Sequence, residues 1–121
     1  MVYEVLTPGQ VIVPNYHFYS EEGICAFIVH DLDPEWRRRP RPAGRYVSTA
    51  WIPGNFLSEG KLLVGAAVAS YYPMTVHFYE RDAVVFQAID SLDGDSARGD
   101  YAGSMPGVVR PVLNWTTRPL S

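Results

Sequence analysis

Residues 44–60, GRYVSTAWIPGNFLSEG, constrain this chain more than any other stretch. Tyr46, Val47, Thr49, Trp51 and Ile52 are β-branched or aromatic, the types that fit a pleated, half-buried surface. Pro53-Gly54-Asn55 then ends the strand, because proline cannot donate to a ladder and glycine and asparagine tolerate turn dihedrals. A tight turn around Phe56 and Leu57 follows, and Gly60 releases the chain into the next apolar run. The pattern predicts a strand, a corner and a return strand with little slack between two layers.

The rest of the chain reads the same way. Residues 2–6 form a first strand, ended by the turn signal Thr7-Pro8-Gly9. Residues 11–20 form a second, which Pro14 assigns to an edge or a bulge. Glu22-Gly23 turns the chain into a third strand over 24–30. Residues 61–72 are the longest apolar run. Gly65 within it, and Gly60 and Pro73 beside it, favour a central strand buried on both faces over a helix. Residues 75–80 and 83–91 read as a pair across Arg81-Asp82, and 108–117 as a last strand with Pro111 at an edge. The expected fold is all-β: about eight short antiparallel strands in a single β-sandwich or jelly-roll-like domain spanning 1–121.

Composition narrows the function. At 121 residues with 47% hydrophobic content the chain suffices for one packed domain. Its formal charge of −3 argues against nucleic acid as a partner. Cys25 is the one cysteine, so no intrachain disulfide forms, and its apolar neighbours predict a buried thiol. No leader or membrane span is apparent, which makes the cytoplasm the expected compartment.

Most catalytic motifs fail on spacing. The run from Gly54 to Lys61 has five residues between its glycines and Leu62 after the lysine, so it is not a phosphate-binding loop. His17, His30 and His77 lack the paired spacing of metal ligands, and no cofactor is implied. Asp90, Asp93 and Asp95 depart from the calcium-loop register and read as a solvated turn. Arg98-Gly99-Asp100 is too short a match to an adhesion tripeptide to carry meaning.

Two groups of side chains remain. Arg37, Arg38, Arg39, Arg41 and Arg45 concentrate five of the ten basic residues in an exposed Arg-Pro loop, after a helical turn that Asp33 would cap. Arg37, Arg38, Arg39 and Arg41 are candidates for contact with an anionic partner, since guanidinium binds phosphate and carboxylate bidentately. Aromatics on the strands are the second group. Tyr16 and Phe18 share one face of the second strand, while His17 and Tyr19 share the other. Tyr71 and Tyr72 fall at the end of the long apolar strand, at the sandwich rim. Tyr16, His17, Tyr19, Tyr71 and Tyr72 are the candidates for stacking on sugar rings and reading hydroxyls.

Tyr3-Glu4-Val5-Leu6 with Pro8-Gly9, residues 23–27, 44–60 and 82–90, and the tail with Gly107, Pro111 and Trp115 resemble a known family. It is the C-terminal domain of the ATP-binding subunits of bacterial polysaccharide ABC transporters, the Wzt-type O-antigen exporters. Ile52-Pro53-Gly54-Asn55 with Leu57 and Gly60 is the strongest piece. The resemblance implies a non-catalytic β-sandwich that binds the exported glycan. It also implies a C-terminal fragment of a longer transporter protein, a homodimer through the last strand, and partnership with a nucleotide-binding domain and permease at the inner membrane. Two rival functions are a structural dimerisation and docking module, and a jelly-roll enzyme acting on nucleotide sugars.

Overall fold

The computed structural model describes residues 1–71, 73–90 and 96–120. Its contacts fall into two compact units, Met1–Trp51 with Lys61–Phe86 and Ile52–Gly60 with Gln87–Ser121. Among the described residues all the regular structure is β. Six strands run in chain order: β1 Val2–Val5, β2 Val13–Ser20, β3 Cys25–His30, β4 Gly44–Val47, β5 Gly60–Ser70 and β6 Thr75–Ala88. They form a two-stranded sheet, β1-β4, and a four-stranded sheet in the order β3-β2-β5-β6. The all-β sandwich expected from the sequence is the fold observed, with six strands in place of about eight.

The apolar run becomes β5, an interior strand of the larger sheet. Leu62, Val64, Ala66 and Val68 on its inner face are buried, and so are Ala67 and Ala69 on the other. Opposite them on β2, Phe18 aligns with Val64 and Tyr16 with Ala66. Phe18 also stacks on Phe27 of β3, with centroids 4.4 Å apart. This inner face is the core of the first unit. Tyr16, Val29 of β3 and Val47 of β4 line one cavity between the two sheets.

Five expectations need correction. Pro14 lies in an interior strand, not at an edge. The β2–β3 ladder ends at Asn15 opposite His30, so proline's missing N–H falls at the end of the ladder, where only its carbonyl is used, accepting from the Asp31 amide at 2.8 Å. Arg81-Asp82 is no turn: β6 runs unbroken for 14 residues, with the Arg81 backbone packed against Gly65 of β5. Residues 108–117 form no strand, and only an isolated bridge joins Val109 to Leu57. Cys25 is exposed, because it opens β3 beside the solvent-facing hairpin tip at 21–23. The extended stretch predicted over 44–52 also ends early, at Val47.

The hairpin between β2 and β3 closes as expected: Ser20 exchanges backbone bonds with Gly23 and Ile24, and Gly23 takes the left-handed φ of 82° that the turn demands. After β3, Asp33 caps a helical turn. Its Oδ1 accepts from the Glu35 amide, and its carbonyl accepts from the Arg37 amide at 2.9 Å.

Candidate functional site

The outer face of the four-stranded sheet carries a row of polar and aromatic groups. Alternation along β2 puts Val13, Asn15, His17 and Tyr19 on this face. The buried Asn15 orders the row. Its amide nitrogen donates to the Val13 carbonyl at 3.1 Å, which leaves its Oδ1 to accept from His17 Nε2 at 2.9 Å. His17 Nε2 is therefore the protonated nitrogen, and Nδ1 faces the Tyr19 hydroxyl, 3.5 Å away. The Tyr19 hydroxyl in turn lies 3.2 Å from that of Tyr79 on β6. These polar groups thus form one connected row across the sheet.

The rings obey the same geometry. His17 and Tyr19 lie nearly parallel with centroids 6.3 Å apart, and Tyr79 stands edge-on to His17 at 5.8 Å. Arg81, also on β6, places its guanidinium 5.3 Å from the centre of the Tyr19 ring. Between β2 and β6 lies Gly65, aligned with His17 and without a side chain to separate the two rows. Hydrogen bonding to Tyr79 raises the Tyr19 pKa above its ordinary value of 10.0, with burial as a lesser cause and Arg81 opposing it.

The other candidates are distributed around this face. Tyr16 lies on the opposite side of the sheet, facing the inter-sheet cavity, where burial raises its pKa. Tyr71, just past β5, bonds to His30 Nδ1 of β3 at 2.6 Å, beside the start of β2. Tyr72 lies outside the described residues. Asn15, Tyr79 and Arg81 were not singled out in the sequence. The signal for the last two was the alternation His77, Tyr79, Arg81, once β6 is read as one strand.

The arginines divide. Arg41 is turned inward and only 2% exposed. It pairs with Asp31 at 3.0 Å, donates to the Tyr3 hydroxyl at 2.8 Å and lies 5.5–5.9 Å from the centres of the Trp36, Tyr3 and Tyr46 rings. Arg39 folds over Trp36 and donates to the Glu35 carbonyl. Arg37 and Arg38 stay exposed.

The second unit is built around a different ion-pair set. Asp90 Oδ2 accepts from Ser96 Oγ and Arg98 Nε, both at 2.9 Å, and from Arg110 at 3.3 Å. Arg98 is 8% exposed, so the tripeptide it begins is no surface signal. Asp93 and Asp95 lie outside the described residues. Among the described residues no group of three or more His, Cys, Asp or Glu could hold a metal ion.

No protein-family profile and no curated protein matches the chain. Among solved structures, it superposes on the crystal structure of the C-terminal domain of Wzt with a TM-score of 0.70. The match covers 98% of this chain and 67% of that one, at 15% sequence identity. The chain has the Wzt C-terminal-domain fold. At that identity the likeness fixes the architecture, in agreement with the resemblance seen in the sequence, and leaves the chemistry to the residues of this chain.

Proposed function

We propose that this domain recognises a bacterial polysaccharide without acting on it chemically, as the C-terminal part of the ATP-binding subunit of an ABC exporter. One observation carries the reading: the connected row Asn15–His17–Tyr19–Tyr79 with Arg81 on one sheet face, its Tyr79 end open. A pyranose presents an apolar C–H face and a rim of hydroxyls. Flat rings supply a surface for the first, and phenol, imidazole and guanidinium supply donors and acceptors for the second. The Wzt-like fold supports the transporter setting. In it the domain is cytoplasmic and reaches the inner membrane only through its complex. Among the described residues no helix is long and apolar enough to cross a membrane.

Saturation-transfer NMR with O-polysaccharide purified from the source organism tests the reading. Transfer is expected to the glycan, and to fall at least about tenfold in affinity in Tyr19→Ala and Tyr79→Ala, as stacking and hydrogen bonds are lost together. Wild-type protein that transfers nothing to its own organism's polysaccharide would refute it.

A second reading, a dimerisation and docking module, is favoured by a different observation. Val112, Leu113, Trp115 and Leu120 of the tail are exposed, as are Val76, Phe78, Val84 and Val85 of the edge strand β6. Unpaired apolar edges of this kind invite strand addition from another copy.

A further inference from the structure

We propose that the groove where β2 begins takes the carboxylate or phosphate of an acidic saccharide whose neutral rings continue along the His17–Tyr19 face. This inference rests on the glycan reading above and names the class of glycan.

The groove encloses about 560 Å³ and is lined by Val13, Leu32, Trp36, Arg37, Arg38 and Tyr71 among others. Its charge balance is the argument. Arg37, Arg38 and Arg41 line it together with one carboxylate, Asp31, and Arg41 already holds that carboxylate at 3.0 Å. His30, the remaining titratable neighbour, is bound to the Tyr71 hydroxyl. Arg37 and Arg38 therefore face the groove without a carboxylate partner among the described residues. An anion in the groove would gain charge-assisted, bidentate hydrogen bonds from these two side chains.

Arg38 adopts a left-handed φ of 65°, unusual for a residue with a Cβ, at the end of the turn that Asp33 caps. Residues held in such conformations recur at ligand clamps and switch regions. The groove is also continuous with the aromatic face. Val13 lies on the same side of β2 as Asn15, His17 and Tyr19, a track of roughly 20 Å at strand spacing.

The test compares four probes on the whole chain by NMR titration: trigalacturonate, its methyl ester, a trimannoside and its 6-phosphate. The acidic members are expected to bind about tenfold or more tightly than their neutral partners. The double variant Arg37→Gln with Arg38→Gly should abolish that advantage and leave trimannoside binding unchanged. Glycine at 38 eases the backbone, so the variant removes charge without threatening the fold. A preference for trigalacturonate assigns the group as carboxylate, and a preference for the phosphate as phosphoryl. Equal binding of acid and ester, an acid preference that survives the double variant, or no binding of either acidic probe overturns the proposal. So does inorganic phosphate binding as tightly as the phosphotrimannoside, which would mean an anion hole without sugar recognition. If the acidic advantage holds but Tyr79→Ala leaves the trimannoside unaffected, the groove stands and the aromatic-face reading fails.

Discussion

The hydroxyl of Tyr19 lies 3.2 Å from that of Tyr79, although 60 positions separate them in the chain. Strand order explains the meeting: β5 lies between their strands, and its Gly65 supplies no side chain to hold them apart. The pair ties β2 to β6 through side chains and closes the hydrogen-bond chain that starts at Asn15.

The contact has a titration signature. Donating to the Tyr79 hydroxyl stabilises the neutral phenol of Tyr19 and raises its pKa. A raised native pKa means that the associated stability is complete below the unfolded value near pH 10 and is lost as pH climbs through the native one. Tyr79→Phe should lower the Tyr19 pKa toward the ordinary tyrosine value, read from the ring-carbon shift in an NMR titration. An unchanged titration would show that the two hydroxyls do not meet in solution.

Gly65 predicts a stability effect of unusual sign. Alanine in place of glycine within a strand ordinarily helps by limiting the unfolded chain. Here a Cβ would stand 3.0 Å from the Arg81 carbonyl oxygen and 3.5 Å from its Cα, both backbone atoms of the neighbouring strand. Gly65→Ala should therefore destabilise by about 1–3 kcal/mol in urea unfolding, as β6 is pushed outward. Gly54→Ala, with nothing within 4 Å, serves as the control and should be near neutral.

Arg41 and Asp31 should respond unequally to substitution. Asp31→Ala strands a guanidinium that is 2% exposed, a loss of about 3–5 kcal/mol for an unpaired buried charge. Arg41→Met should cost less, under about 2 kcal/mol, because Asp31 keeps donors in the Ser48 hydroxyl and the Asp33 amide and retains solvent contact. Thermal melts of the two variants decide the order, and equal losses would contradict a burial asymmetry.

What the sequence revealed and what it withheld divide along a physical line. β5 was legible from its apolar run, the β2–β3 turn from Glu22-Gly23, and the common face of His17 and Tyr19 from strand alternation, since each depends on neighbours within a few residues. Tyr79 and Arg81 were not, because their place beside Tyr19 depends on the register of strands far apart in the chain. Arg37, Arg38, Arg39 and Arg41 look alike in sequence. Only the tertiary position of Asp31 and three aromatic rings singles out Arg41 for burial. Pro14 misled for a related reason: a proline excludes a strand from the interior only within a ladder, and here it stands where the ladder with β3 ends.

The tail separates the two functional readings. Residues 108–110 are tied down within the second unit: the Ser58 amide and hydroxyl both donate to the Val108 carbonyl, and Arg110 donates its amide to Phe56. Beyond Arg110, Val112, Leu113 and Trp115 are 63%, 65% and 85% exposed, an arrangement that water disfavours and a partner strand would relieve. A chain stopped after Arg110 keeps the internal ties and loses only the exposed apolar stretch. If the docking reading is right, light scattering should give a dimer for the full chain and a monomer for the shortened one, with the melting temperature of the dimer rising with concentration. If the glycan reading stands alone, both chains should be monomers and bind the polysaccharide equally, because every residue of the Asn15–Tyr79 chain lies outside the deleted segment. A dimer that persists after the deletion would move the contact to the open edge of β6, where Val84→Lys should then break it.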